Sequence, residues 1–143
     1  MKTLISIIII LISFSGFTIS AADDDLNGKI FYGKATEITP PDIDRMPRIY
    51  DEEIKFENGK LYCETFRNYS DADSYYSSAV DDRRAIAYKV ILFNSSSTGY
   101  FNGEPVSIEF TGNIIGNTRL NGTITVRFPD TSEIKFIIEA ISN

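Results

Sequence analysis

The stretch IIGNTRLNGT, residues 114–123, holds two turn signals, Gly116-Asn117 and Asn121-Gly122, in a segment that otherwise alternates like a strand. Which of them reverses the chain decides how the C-terminal half folds. Val106, Ile108, Phe110 and Ile114 recur at even spacing before the turns, and Leu120, Ile124, Val126 and Phe128 do the same after them. A reversal at residues 116–118 sets Val106 opposite Phe128, Ile108 opposite Val126, Phe110 opposite Ile124, Gly112 opposite Gly122 and Ile114 opposite Leu120. All the apolar side chains then share one face. A reversal at Asn121-Gly122 would set Leu120 against Thr123 and Arg119 against Ile124, splitting the apolar set between faces. Register therefore selects the first turn. Gly122 falls inside a strand beside Gly112, where glycines in register mark a bend or a close approach of the sheet.

The same reasoning extends in both directions. Toward the C-terminus it sets Phe128 opposite Ile134, Val126 opposite Phe136, Ile124 opposite Ile138 and Gly122 opposite Ala140, around residues 129–133. Nearer the N-terminus, residues 28–38 alternate with Phe31, Gly33 and Ala35 on one face, and Pro40, Pro41 and Pro47 then interrupt the pattern. Residues 49–57 and 60–66 flank Asn58-Gly59, a two-residue hairpin turn whose central residues both need positive φ. That hairpin sets Phe56 opposite Leu61 and Ile54 opposite Cys63, so Cys63 points inward as a small core residue. Residues 67–84 read as a long polar loop with one helical turn near residues 72–78, and residues 85–93 as a strand carrying Ile86, Tyr88, Val90 and Leu92 on one face. The stretch 94–105 reads either as one long loop or as a short strand at Tyr100-Phe101 that turns at Asn102-Gly103. The chain is thus all-β. Seven to eight antiparallel strands in up-and-down order are most economically closed into a single barrel, which removes the sheet edges, with a β-sandwich as the alternative.

Lys2 followed by an apolar run over residues 4–17, ending in small residues at Ser20, Ala21 and Ala22, has the pattern of a secretory signal peptide. The run is shorter than the about 20 residues a membrane span needs. The expected organisation is therefore a leader over 1–22 and one barrel domain over 23–143, secreted or periplasmic and free of the membrane after cleavage. The chain carries a net charge of −6, and Arg83-Arg84, its one basic pair, sits beside Asp81-Asp82. That balance argues against a nucleic-acid surface, which needs clustered cations. Histidine is absent and Cys63 is the single cysteine, which removes Ser-His-Asp and Cys-His catalysis, ordinary zinc sites and an internal disulfide. No catalytic residue, metal site or cofactor is expected, and the protein reads as non-enzymatic. Residues 71–82 begin like a calcium loop but carry Tyr75 at a ligand position and Tyr76 where a glycine must turn the chain. Asp51, Glu52 and Glu53 alternate across a strand, so they do not form an acid and base pair. Asn68, Asn94 and Asn121 each open an Asn-x-Ser/Thr sequon.

The segments LNGKIFYGKATEI, IKFENGKLYCE and IEFTGNIIGNTRLNGTITVRF resemble those of small bacterial lipocalin-like (calycin) barrels, which open with Leu-x-Gly-Lys and an aromatic and carry a Gly-x-x-x-Gly-Asn turn late in the chain. Gly28-Lys29-Ile30-Phe31 stands in place of the Gly-x-Trp signature, and the chain has no tryptophan. The resemblance implies a barrel fold and an apolar ligand, and no catalytic residues. Candidate ligand-binding residues are Phe31, Phe56 and Phe110 on inward faces together with Tyr75, Tyr76, Tyr88 and Tyr100. Tyr69, Tyr75, Tyr76, Tyr100 and Phe101 could ring one end of the barrel. Two functions follow: a carrier holding a small apolar ligand inside the barrel, or a protein-interaction or inhibitor module that uses Tyr-rich loops on a filled scaffold. The partner is accordingly a small apolar molecule or a protein.

Overall fold

The computed structural model describes residues 25–38, 45–81 and 88–143. Residues 1–24, which include the expected leader, lie outside them, as do Pro40, Pro41, the pair Arg83-Arg84 and Ile86. The described residues form one antiparallel sheet: β1 (Ile30–Glu37), β2 (Ile49–Glu57), β3 (Lys60–Cys63), β4 (Tyr76–Val80), β5 (Val90–Phe101), β6 (Glu104–Ile115), β7 (Arg119–Arg127) and β8 (Glu133–Ile141), with a short helix α1 (Glu64–Arg67) between β3 and β4. The spatial order is β3-β2-β1-β8-β7-β6-β5-β4. Chain neighbours from β1 to β3 and from β4 to β8 therefore lie side by side, and two further contacts complete the circuit. β1 pairs with β8, and β3 meets β4 through the single bridge Lys60 to Tyr75, where the Leu61 N–H donates to the Ser74 carbonyl at 2.8 Å and the Tyr76 N–H to the Gly59 carbonyl at 3.1 Å. The result is a nearly closed up-and-down barrel of eight strands.

The turn at residues 116–118 reverses the chain, with Gly116 and Asn117 at φ 58° and 62°, and Ile108, Phe110, Gly112 and Ile114 meet Val126, Ile124, Gly122 and Leu120 as their spacing requires. The Asn58-Gly59 hairpin likewise sets Ile54 opposite Cys63. Three readings need correction. The β7–β8 register is displaced by two residues: Val126 faces Ile134 and Ile124 faces Phe136, because the connection is a compact loop in which the Phe128 N–H donates to the Ser132 carbonyl and the Asp130 carboxylate accepts from the Ser132 N–H and hydroxyl. A shift of two keeps every side chain on its face. In β5, Ile91 and Phe93 point inward and Leu92 outward, Tyr88 lies exposed before the strand begins, and the strand runs unbroken to Phe101 before turning at Asn102-Gly103. The helical turn lies at Glu64–Arg67 instead of near residues 72–78, so β3 stops at Cys63, and Tyr76–Val80 is strand.

The barrel interior is packed with side chains. Phe31, Phe56, Phe110, Phe136, Ile54, Ile108, Ile124 and Ile138 are fully buried. Phe56 lies edge-on to Phe31 at 6.2 Å, to Tyr76 at 5.0 Å and to Phe93 at 5.2 Å, and Phe93 continues to Phe110 at 5.1 Å. Each such ring contributes about 1.5–3 kcal/mol by burial, and each edge-to-face pair about 0.5–1.5 kcal/mol more. The rings also explain the facing glycines Gly112 and Gly122: a Cβ on Gly122 would stand 2.6 Å from the Phe110 ring and 2.8 Å from the Thr111 carbonyl, so an aromatic ring fills the space a side chain would take.

Gly122→Val is therefore expected to lower stability by at least about 1 kcal/mol, read as a reduced urea midpoint at unchanged m-value. An unchanged midpoint would contradict the crowding at this strand position.

Candidate functional site

The seven nominated residues do not meet at one site. Phe31, Phe56 and Phe110 are wholly inside the core, with Tyr76 almost so, whereas Tyr75, Tyr88 and Tyr100 are 62%, 66% and 75% exposed. Tyr75 stands at the β3–β4 seam with the Lys60 ammonium 5.5 Å from its ring centre. Tyr88 lies before β5, with its ring near Gly116, and Tyr100 lies near the far end of that strand. The expected ring of aromatics at one mouth forms only in part, because Tyr69 and Phe101 turn inward: Tyr69 lies tilted against Phe101 at 5.0 Å and 6.3 Å from Phe136, and Phe101 meets Phe128 at 6.1 Å. These rings plug the mouth. Desolvation there pushes the Tyr69 hydroxyl above its ordinary pKa.

Two carboxylates that point inward in phase with the apolar residues of their strands hold the plug. Glu52 accepts from the Glu64 N–H at 3.1 Å, the Thr65 N–H at 2.9 Å, the Thr65 hydroxyl and the Cys63 thiol at 3.0 Å. It thereby satisfies the orphan donors that open α1. It also explains why the chain leaves the sheet at Cys63, whose own thiol is pushed well up by burial and by the Glu52 charge. Glu37 takes both ends of the Arg45 guanidinium at 2.6 and 2.8 Å and the Arg48 N–H at 3.0 Å. After α1 the chain crosses β5 so closely that a Cβ on Gly99 would collide with the Tyr69 carbonyl, while the Ser70 hydroxyl donates to the Thr98 carbonyl at 2.9 Å.

Outside this plug lies a hollow of about 630 Å³, open to solvent and walled by residues 67–72, 98–100, 105–107 and 127–129. A second hollow of about 470 Å³ runs on from it along residues 96–98 and 107–109, and the two share Thr98, Ser107 and Arg127. Of the nominated residues only Tyr100 borders this trough. Thr98, Ser107 and Arg127 carried no motif, and only their outward phase beside Val106 and Val126 could have marked them. Arg127 is fixed between Glu109 at 3.1 Å and Glu133 at 2.9 Å. As for carboxylate chemistry, Asp51 and Glu53 are exposed while Glu52 is buried, and Asp73 of the acidic loop is engaged by Lys60 at 2.6 Å. Asp82 lies outside the described residues.

Glu52→Ala leaves the α1 donors without a buried acceptor. It is expected to cost about 1–3 kcal/mol and to speed thiol labelling of Cys63, which in the parent proceeds slowly until denaturant is added. Rapid labelling of the native parent would contradict the buried hairpin. Glu37 gives a pH signature. Arg45 holds its carboxyl below the ordinary value of 4.5, so its stabilisation is complete above that value and is lost as pH falls through the lower folded value. The urea-midpoint difference between the parent and Glu37→Gln should thus be present near neutral pH and shrink in acid. A difference that stays constant would remove the ion pair as its cause.

No family model matches the chain, and neither the curated proteins nor the solved structures contain a significant match to it.

Proposed function

We propose that the protein is an exported, non-enzymatic recognition module in which a filled barrel serves as scaffold and the binding surface lies outside it, at the end capped by α1. The observation that carries this reading is the aromatic core. Phe31, Phe56, Phe110 and Phe136 are fully buried, with Phe56 and Phe93 bridging between strands, at the centre where an apolar carrier would keep its ligand. An eight-stranded barrel has room inside for side chains or for one small ligand, and here the side chains take it. Kinship with calycin barrels is accordingly read as one of architecture, with the ligand chamber replaced by phenylalanine. Export is supported by Lys2 and the apolar residues 4–17.

Native mass spectrometry of the protein purified from its own exporting host tests the reading. The expected result is the bare mass of the processed chain. A stoichiometric apolar adduct released only on denaturation would overturn the scaffold and restore the carrier.

A further inference from the structure

We propose that the trough running outward over β5, β6 and β7 is a binding site for a neutral saccharide chain; this rests on the scaffold reading above and names the chemistry that its outer surface would recognise. Register lays the site out. Tyr100 pairs with Pro105, Thr98 with Ser107, and Ser96 with Glu109, while Ser107 continues to Arg127 and Glu109 to Thr125 on β7. All of these except Thr125, which is itself buried, are turned to the outside, since Val106, Ile108 and Val126 between them are buried. One end of the trough thus carries an exposed aromatic ring beside a proline, and its floor carries hydroxyls arranged around one guanidinium.

Those groups match the two surfaces of a pyranose. Its C–H face is apolar and lies against an aromatic ring, and Tyr100 offers a ring that is 75% exposed. Its rim carries adjacent hydroxyls, each both donor and acceptor, which are met best by planar groups with two donors or two acceptors held in place. Arg127 and its partner carboxylates supply such a set: Glu109 and Glu133 fix the guanidinium from two sides, so little side-chain freedom remains to be lost on binding. From residue 96 to residue 100 the strand rise gives about 13 Å, enough for more than one sugar ring.

Other occupants fit less well. An anion would meet Glu109 and Glu133 beside Arg127, and Asp71 in the same wall as Arg67. An extended peptide cannot add as a strand to β5 beyond β4, because Tyr69 and Ser70 already lie on Gly99 and the Thr98 carbonyl accepts from Ser70. A lipid chain would lie on Thr98, Ser107, Asn68 and the two arginines. A polyhydroxylated neutral ligand is what Tyr100, Thr98, Ser107 and Arg127 pair with together.

The test is an array of neutral oligosaccharides, presented both as free chains and attached to protein, probed with the full processed chain and followed by calorimetry on the best binder. Binding is expected for the free and the attached forms alike, weakened about tenfold or more by Tyr100→Ala and by Arg127→Gln, and unchanged by Tyr88→Ala at the other end of the barrel. Circular dichroism and the urea midpoint of Tyr100→Ala, a change at an exposed position, separate lost recognition from lost folding. No saccharide binding, binding indifferent to Tyr100→Ala in a folded variant, or binding to attached forms that persists after the sugar is removed would each overturn the proposal. A silent array with a bare native mass would leave the filled scaffold standing, whereas an apolar adduct in the native mass would remove the scaffold reading itself.

Discussion

The barrel depends on Phe56. Its ring reaches across the seam where β3 and β4 share a single bridge, and it touches Tyr76 of β4 and Phe93 of β5 from the β2 side. Elsewhere around the sheet, ladders of backbone hydrogen bonds join neighbouring strands. At the seam two backbone hydrogen bonds replace the ladder and side-chain packing supplements them, with edge-to-face geometry giving it direction as well as area. A smaller residue at this position would leave a cavity with few means of collapse, because the surrounding rings are themselves fixed by Phe31 and Phe110.

The second constraint is electrostatic. Glu37 and Glu52 sit on inward-facing positions at the capped mouth, where a carboxylate is costly unless its oxygens are fully bonded. Both are bonded, the one by Arg45 and the Arg48 N–H, the other by the start of α1. Each carboxylate therefore ties an irregular segment to the regular barrel. Tyr69 and Ser70 extend this arrangement over β5, and the outer trough is bounded on one side by the segment so anchored.

Much of this was legible in the residues. The alternation of Val106, Ile108 and Phe110 against Ile124 and Val126, together with the Asn58-Gly59 turn, fixed two pairings and the inward position of Cys63, because period-two patterns carry both face and register. The β7–β8 offset was not legible, since a shift of two preserves every face and only the Asp130–Ser132 bonding selects the loop. β5 was misread because Val90, Ile91, Leu92 and Phe93 are all apolar, and such a run does not say which parity faces inward. β4 was missed because YSSAV is short and mostly polar. Its partners on β5 lie eleven to nineteen positions away, from Val80 with Ile91 to Tyr76 with Ser95, a tertiary relation without a local signature. The candidate site was the least visible part. The sequence drew attention to tyrosines, whereas the trough is built mainly from ordinary Thr, Ser and Arg residues gathered by pairing.

The pairing of β1 with β8 joins Tyr32 to Ile141, residues that stand side by side in the barrel but more than a hundred positions apart in the chain. Hairpins such as β2–β3 and β6–β7 close over short loops, but this contact must wait until nearly the whole domain is available, and its loop-closure entropy is correspondingly large. The topology thus has a high contact order, and slow folding is its natural consequence. Until β8 docks, β1 and β7 both remain open edges. A protein of this design has its greatest tendency to associate in the interval between synthesis of the chain and closure of its last strand.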